Sequence, residues 1–343
     1  MSLASGSDAP NHGSVGASTT ADPDLPLPGL DAEYRQVREE CGLLEHADRA
    51  WIEVTGPDAA EFVHGQVTNE IEALEPGSGC YALLLDRKGK LQADMRVLRT
   101  SPAELLIETG VPTRDRLLKH LGMYKIGRKV DVTPAERTTV SLVGPGAIDV
   151  TGLAPGDEHD FTSTRIAGAD CLAVATDLGI DIVCEPGDAA AVREELQAKR
   201  AIPVSSEAVE ILRVESGRPR FGSEMTEASM PAEAGIVDRA ISFTKGCYIG
   251  QEPVARLHYK GRPNRHLRGL RFEGAVEAGD TVRLGERELG TVGTVVLSPA
   301  SGRIGLAILR KEAEPGSTVT VVSESGETEA SVVEPPFIES PGP

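Results

Sequence analysis

Trp51-Ile52-Glu53-Val54-Thr55-Gly56-Pro57-Asp58 alternates in side-chain character and then breaks at Gly-Pro. That is the pattern of a strand feeding a turn and a short helix, here opening at Asp58 and running to about His64. Val140-Ser141-Leu142-Val143-Gly144-Pro145 repeats the order and precedes another helical run. Two strand–GlyPro–helix units predict an internally duplicated α+β subdomain. Outward from them, residues 30–44 have helical spacing, and 80–85 and 91–98 read as strands. Asp86-Arg87-Lys88-Gly89-Lys90 joins those strands as a hairpin turn, with Asp86 and Arg87 as plain turn residues. Further strands are expected at 165–166, 171–175 and 180–183, and a polar helix at 188–199. Strands that follow one another directly favour an α+β class over a doubly wound parallel sheet. From about residue 265, short strands at 267–272, 281–284, 289–297, 304–309, 318–322 and 330–333 alternate with Gly and Pro turns. They predict a C-terminal antiparallel β-barrel of roughly 70 residues. The expected organisation is a disordered tail at 1–28, an α+β region at 29–263, a barrel at 264–334 and a Pro-rich tail at 335–343.

The chain has 343 residues, enough for two or three folding units. Aromatic residues are 3%, so its cores must rest on Val, Leu, Ile and Ala. No apolar run approaches the roughly 18 residues of a membrane span. The first 28 residues have neither a basic start with an apolar core nor arginine, which excludes a secretory signal and argues against a transit peptide. Cys41, Cys80, Cys171, Cys184 and Cys247 form no CxxC pair, so neither a disulfide framework nor a zinc site is expected, and no metal ligands are assigned. A reduced cytoplasm fits this usage. Cys171 and Cys184 lie in apolar stretches and read as packed small hydrophobes. Net charge is −18, which disfavours nucleic acid and anionic membranes as partners. The segment 245–271 runs the other way, with seven basic residues against Glu252 alone. It is either a solvated helix and linker or a local anion site.

Chemistry concentrates in Lys245-Gly246-Cys247-Tyr248-Ile249-Gly250-Gln251-Glu252. A thiol, a phenol, an ammonium and a carboxylate stand between glycines that let the backbone turn sharply. Gln251-Glu252-Pro253 starts a helix expected to reach Tyr259 and stop at Gly261. Cys247 then precedes a helix N-terminus and neighbours Lys245, two features that activate a thiol; the alternative is an inert, buried cysteine. A nucleophilic pair with His258 is disfavoured, because His258 lies over two turns into that helix. On the helix expected at 205–217, Ala208, Ile211, Leu212 and Glu215 share one stripe, so Glu215 points toward the core. Either it is paired with Arg213, Arg218 or Arg220, or exposed by a bend, or it awaits a ligand with paired N–H donors. Asp94 is a lone strand carboxylate, a type that is most often solvated.

Arg213-Val214-Glu215-Ser216-Gly217 resembles the R-x-E-x-G element of the folate-binding aminomethyltransferase (GcvT-like) superfamily, and Pro231-Ala232-Glu233-Ala234-Gly235 resembles its P-x-E-A-G element. Lys245 to Glu252 matches the K-G-C-Y-x-G-Q-E signature of the YgfZ branch. The resemblance covers residues 30–333 and implies packed α+β subdomains around a folate pocket, followed by a β-barrel. It implies tetrahydrofolate or a derivative as cofactor, with Glu215 holding the pterin. Arg213, Tyr248, Gln251, Glu252 and Arg256 complete the expected cofactor-binding set, with the basic segment facing the anionic glutamate tail. Cys247, Lys245 and Asp94 are the expected reactive residues. The glycine-cleavage enzymes carry G-G-x-x-D-D where this chain has Gly89-Lys90-Leu91-Gln92-Ala93-Asp94, and they lack the motif cysteine. The implied function is therefore assistance to [4Fe–4S] cluster assembly or repair, in support of enzymes such as those that modify tRNA. Its partners are iron–sulfur client or assembly proteins, and any cluster is shared and transient. The alternative is a folate-dependent aminomethyltransferase that uses Asp94.

Overall fold

The computed structural model describes residues 29–154, 156–324 and 326–342; the tail expected at 1–28 lies outside the described residues. Helix α1 (Leu30–Glu39) leads into β1 (Gly42–Glu45). Then come β2 (Arg49–Thr55), α2 (Ala59–His64), β3 (Gly79–Leu85), β4 (Leu91–Ser101), β5 (Glu104–Gly110), α3 (Val111–Tyr124) and β6 (Asp131–Ala135). The chain repeats that order with β7 (Thr138–Val143), α4 (Ala147–Thr151), β8 (Phe161–Ile166), β9 (Ala169–Thr176), β10 (Gly179–Cys184), α5 (Ala189–Ala198) and β11 (Ile202–Pro203). One sheet is ordered β3-β4-β5-β2-β6, the other β8-β9-β10-β7-β1-β11. Unit for unit the orders agree, except that β1 is inserted between β7 and β11. The two Gly-Pro breaks do the same work. Gly56 and Gly144 have φ of 126° and 114°, a region closed to most L-residues. A Cβ at either would lie 2.2 Å from the Lys129 carbonyl or 2.5 Å from that of Glu40.

The expected helix at 30–44 ends at Glu39. Gly42 approaches Val37 so closely that a Cβ there would sit 2.5 Å from its side chain, and Leu43 instead pairs with Leu142 in the sheet. Each sheet buries one face under its own helices: Phe62, Val63, Leu117 and Leu121 cover the first, Val192 and Leu196 the second. Between the sheets lies a smaller apolar layer of Trp51, Leu98, Leu106, Phe161, Val174 and Val183.

Helix α6 (Ser206–Glu215) starts at Ser205, whose hydroxyl accepts from the Ala208 amide, a cap that stabilises by about 1 kcal/mol. Helices α7 (Val237–Ala240) and α8 (Gln251–Lys260) precede β12 (Arg265–Phe272), β13 (Thr281–Leu284), β14 (Arg287–Thr291), β15 (Thr294–Ser298), β16 (Gly302–Arg310), β17 (Thr318–Ser323) and β18 (Gly326–Val333). These strands form one antiparallel sheet, β14-β13-β17-β18-β12-β16-β15. The single strand expected at 289–297 is in fact β14 and β15. At Val292-Gly293 the chain leaves β13 and joins β16, so this link ties one edge of the sheet to the other and curls it into a barrel. The segment expected to be a loose tail after 334 is docked as a strap. Phe337 and Ile338 amides donate to the Glu215 carbonyl at 2.7 and 3.2 Å, and Arg38 reaches the Glu339 carbonyl at 2.8 Å. The carbonyls at the end of α6 need donors, and the strap supplies them. No helix among the described residues is long and apolar enough to cross a membrane.

Candidate functional site

Asp94 and Arg96 occupy alternate positions of β4, on the face turned away from α2 and α3, whereas Ala93, Met95 and Val97 pack beneath those helices. The Tyr81 hydroxyl on β3 donates to Asp94 Oδ2 at 2.9 Å. Burial pushes the Asp94 carboxyl above the usual carboxylate range, against the lowering effect of the Tyr81 hydrogen bond. His159 stacks on Tyr81 with ring centroids 6.5 Å apart, and the Arg239 guanidinium lies 5.4 Å from the same ring. Asn69 holds the arrangement by donating to the Tyr81 and Arg239 carbonyls at 2.9 and 3.1 Å. Asp94 is thus a half-buried, hydrogen-bonded carboxyl rather than a freely solvated one.

Beside it, Arg96 spans the two sheets. It contacts Glu108 on β5 at 2.6 Å and Asp181 on β10 at 2.8 Å. Thr139 donates to Glu108 at 3.0 Å, Ser141 bonds Asp181, and His46 reaches Ser141 at 2.9 Å. The inner polar face is therefore a continuous network next to the apolar layer.

His159 stands out within it. Its φ of 79° is left-handed, costly for a non-glycine residue, and its buried Nδ1 has no partner among the described residues. Trp51 Nε1, also buried, lacks one too. Burial, then Arg96 and Arg239, lower the His159 pKa to about 3. The unfolded chain, with histidine near 6.5, therefore binds more protons between those values, and stability falls as pH drops through that window. The wild type should lose about 2 kcal/mol from this source between pH 7 and pH 5, and His159→Gln should not. Urea unfolding at both pH values checks this; equal losses in the two proteins would remove the effect from His159.

Glu215 faces inward as expected and is fully buried. Its partners, however, are none of the three arginines considered. Tyr34 donates to Oε1 and Oε2 at 3.0 and 3.2 Å, Ser298 donates to Oε1, and Arg38 lies 3.9 Å from Oε2. A carboxylate supplied in this way joins α1, α6 and the barrel, and is satisfied within the protein. Arg213 likewise turns inward, to Glu210 at 2.8 Å, Glu224 at 3.1 Å and Thr294 at 2.9 Å. Gly217, at φ 71°, backs onto Pro335, which a Cβ would approach to 2.5 Å. The R-x-E-x-G element thus ties α1, α6, the barrel and the C-terminal strap together.

The Lys245 loop docks on the hairpin before Asp94. Gly250 has φ 86°, and a Cβ there would lie 2.5 Å from the Asp86 carbonyl. Lys245 does not attend the thiol. Its ammonium donates to the backbone carbonyls of His64, Val67 and Asn69, so it closes the end of α2. Cys247 is exposed and takes no hydrogen bond or ion pair from the described residues. Tyr248 is buried, with its hydroxyl unpartnered among the described residues and its pKa pushed up to about 12 by burial. Gln251 is the first residue of α8. Glu252 and Arg256, expected at the cofactor, pair with each other at 2.7 Å in solvent, as i,i+4 neighbours on a helix do. The basic run is largely spoken for as well: Arg265 binds Glu233 at 3.1 Å and Arg268 binds Glu334 at 2.9 Å.

The expected site residues thus fall into three neighbourhoods: Asp94 on the inner sheet face, Arg213 and Glu215 under the barrel, and the Cys247 loop on the hairpin. Tyr81, Arg96, His159 and Arg239 were not picked out from the sequence. The available signal was the i,i+2 run of Gln92, Asp94 and Arg96, three polar side chains on one face of a buried strand. A groove of about 470 Å³ lies elsewhere, on the barrel, lined by Arg220, Thr294, Val296 and Arg303.

Residues 24–245 match the GCVT N-terminal domain, and residues 265–339 match the glycine cleavage T-protein C-terminal barrel domain. A probable aminomethyltransferase of Halobacterium salinarum is 29% identical, covering 91% of each chain. A putative chloroplastic transferase of Arabidopsis thaliana is 30% identical over 81% of this chain and 67% of its own. The crystal structure of the glycine cleavage system aminomethyltransferase T from Bartonella henselae has a TM-score of 0.82 at 20% identity, covering 91% of this chain and 90% of that one. With both domains matched in order, and with the α+β fold and barrel of an aminomethyltransferase, this chain belongs to the GcvT-like aminomethyltransferase family.

Proposed function

We propose that the protein binds tetrahydrofolate at the inner sheet face around Asp94 and Tyr81 and acts there as a one-carbon transferase of the aminomethyltransferase type. The observation that carries this reading is the Tyr81–Asp94 pair, a carboxyl of raised pKa held by a phenol on a rigid strand. The residues present suit the cofactor's chemistry. The Asp94 carboxyl can meet a reacting nitrogen, the Tyr81 and His159 rings offer flat apolar surface, and Arg239, shared with Glu158, stands beside them as a cation. The orphaned Trp51 Nε1 and His159 Nδ1 are further polar atoms able to take a partner. Tetrahydrofolate, when bound, supplies the nitrogens that carry a one-carbon unit. Asp94 orients the reacting group and exchanges a proton at its carboxyl, and Tyr81 fixes that carboxyl's direction.

A second reading, the YgfZ-type role in iron–sulfur maintenance, is favoured by one observation. Of the five cysteines, the motif's Cys247 is the exposed one; Cys80 is half-buried and the other three are buried. In that reading the cytoplasmic protein offers Cys247 to a client's cluster.

Melting curves with and without tetrahydrofolate test the shared premise. Ligand at about 100 times its dissociation constant should stabilise by about 2.7 kcal/mol and raise the melting temperature. Tyr81→Phe should weaken that response. Glu215→Gln should lower the melting temperature of the free protein and leave the ligand-induced rise intact. A rise that survives Tyr81→Phe but vanishes in Glu215→Gln would move the pocket to Glu215.

A further inference from the structure

Cys171 and Cys184 are thirteen residues apart in sequence, on neighbouring antiparallel strands. In the β9–β10 ladder Val183 pairs with Leu172 and Ile182 with Ala173, so the same register sets Cys184 opposite Cys171. Both side chains enter the apolar layer between this sheet and α5, with Ala173, Ile182 and Ala189. Directly opposed antiparallel residues have Cα atoms about 4.5–5.5 Å apart, inside the roughly 4.4–6.8 Å a disulfide spans. The Cys171 thiol donates to the Ala169 carbonyl at 3.6 Å, and the two thiols lie close enough to shift each other's titration. They are packed small residues, as expected, but they are packed on each other.

We infer that Cys171 and Cys184 form a redox-active dithiol that closes into a cross-strand disulfide. The neighbouring Cys184 thiol favours the thiolate at Cys171, whose pKa is lowered, whereas burial pushes Cys41, in the same core, up to about 12. Cys171 is therefore the attacking sulfur. The pair also sits at the rim of the sheet: Cys184 ends β10, and the adjoining Asp170 and Glu185 are exposed. With a peroxide as oxidant, the Cys171 thiolate attacks an oxygen, the O–O bond breaks, and the released hydroxide leaves as water after taking a proton. Cys184 then attacks the resulting sulfenic sulfur, and a second water departs. Two thiols and one peroxide give one disulfide and two waters. The closed bond fixes β10 to β9 on one face, and β10 carries Asp181 on the other, where it meets Arg96.

The test uses the full chain, oxidised with hydrogen peroxide while folded, then denatured and alkylated with N-ethylmaleimide. Trypsin releases residues 166–193 as one peptide that holds both cysteines and no internal Lys or Arg. The expected product is that peptide unalkylated and two hydrogens lighter, with both thiols recovered after reduction. Cys184→Ser should leave a dimedone-reactive sulfenic acid at Cys171. Two alkylated cysteines in this peptide, under conditions that oxidise Cys247, would overturn the inference. So would a disulfide that forms only in urea, since the folded register would then play no part.

Discussion

Arg96→Met should lower the unfolding free energy by about 3–5 kcal/mol, read as a shift of the urea midpoint at unchanged slope. Arg96 is 7% exposed and stands between Glu108 and Asp181, at 2.6 and 2.8 Å, on different sheets. Burial alone pushes the Asp181 carboxyl up, yet Arg96, His46, the Ser141 hydrogen bond and Arg49 together hold its pKa below the usual range, with Arg96 the strongest of the four. Removing the guanidinium takes the contacting cation from two carboxylates held between the sheets and leaves them only the weaker field of Arg49, and that loss is the source of the cost. The companion variant Arg96→Met/Glu108→Gln/Asp181→Asn removes the stranded charges along with their partner. It should recover most of the loss, since well-packed neutral groups of similar shape replace a buried ion pair at little cost. If the single variant loses less than about 1 kcal/mol, the three groups share water and the bridge is a surface pair.

How much of this was legible in the sequence follows from the range of each interaction. The duplicated strand–GlyPro–helix unit was readable because Gly56 and Gly144 answer a local demand, a left-handed turn under a carbonyl. The inward direction of Glu215 was readable from helical period alone. Its partners were not, since Tyr34 lies 181 residues before it and Ser298 lies 83 after it. Residues 104–124 went unassigned because Glu104–Gly110 is a short apolar run that passes directly into a helix with proline at its start, which leaves no turn signal between them. The motif glycines and acids were visible as a family resemblance. What each does depended on contacts that sequence spacing does not carry: Lys245 looked like the thiol's neighbour and is instead bonded to three carbonyls of another segment.

Asp94→Asn should reduce one-carbon transfer from a tetrahydrofolate derivative by about 10²–10⁴-fold, and Cys247→Ser should leave it near wild type. The amide keeps the shape of the carboxyl and a group for Tyr81 to meet, but it neither takes up nor releases a proton. Stability separates this loss from simple unfolding. Burial raises the Asp94 pKa, so the fold favours the neutral form of this group, and a neutral amide relieves that penalty near pH 7. Asp94→Asn should therefore melt at or above the wild-type temperature while losing turnover. A variant that is both inactive and markedly less stable would assign Asp94 to the inter-sheet network rather than to the reaction. The opposite pattern, turnover kept in Asp94→Asn and iron–sulfur enzyme activities in cells lost with Cys247→Ser, would place the chemistry at the exposed thiol. The inner sheet face would then be a binding surface, with the reactive group on the loop that packs against its hairpin.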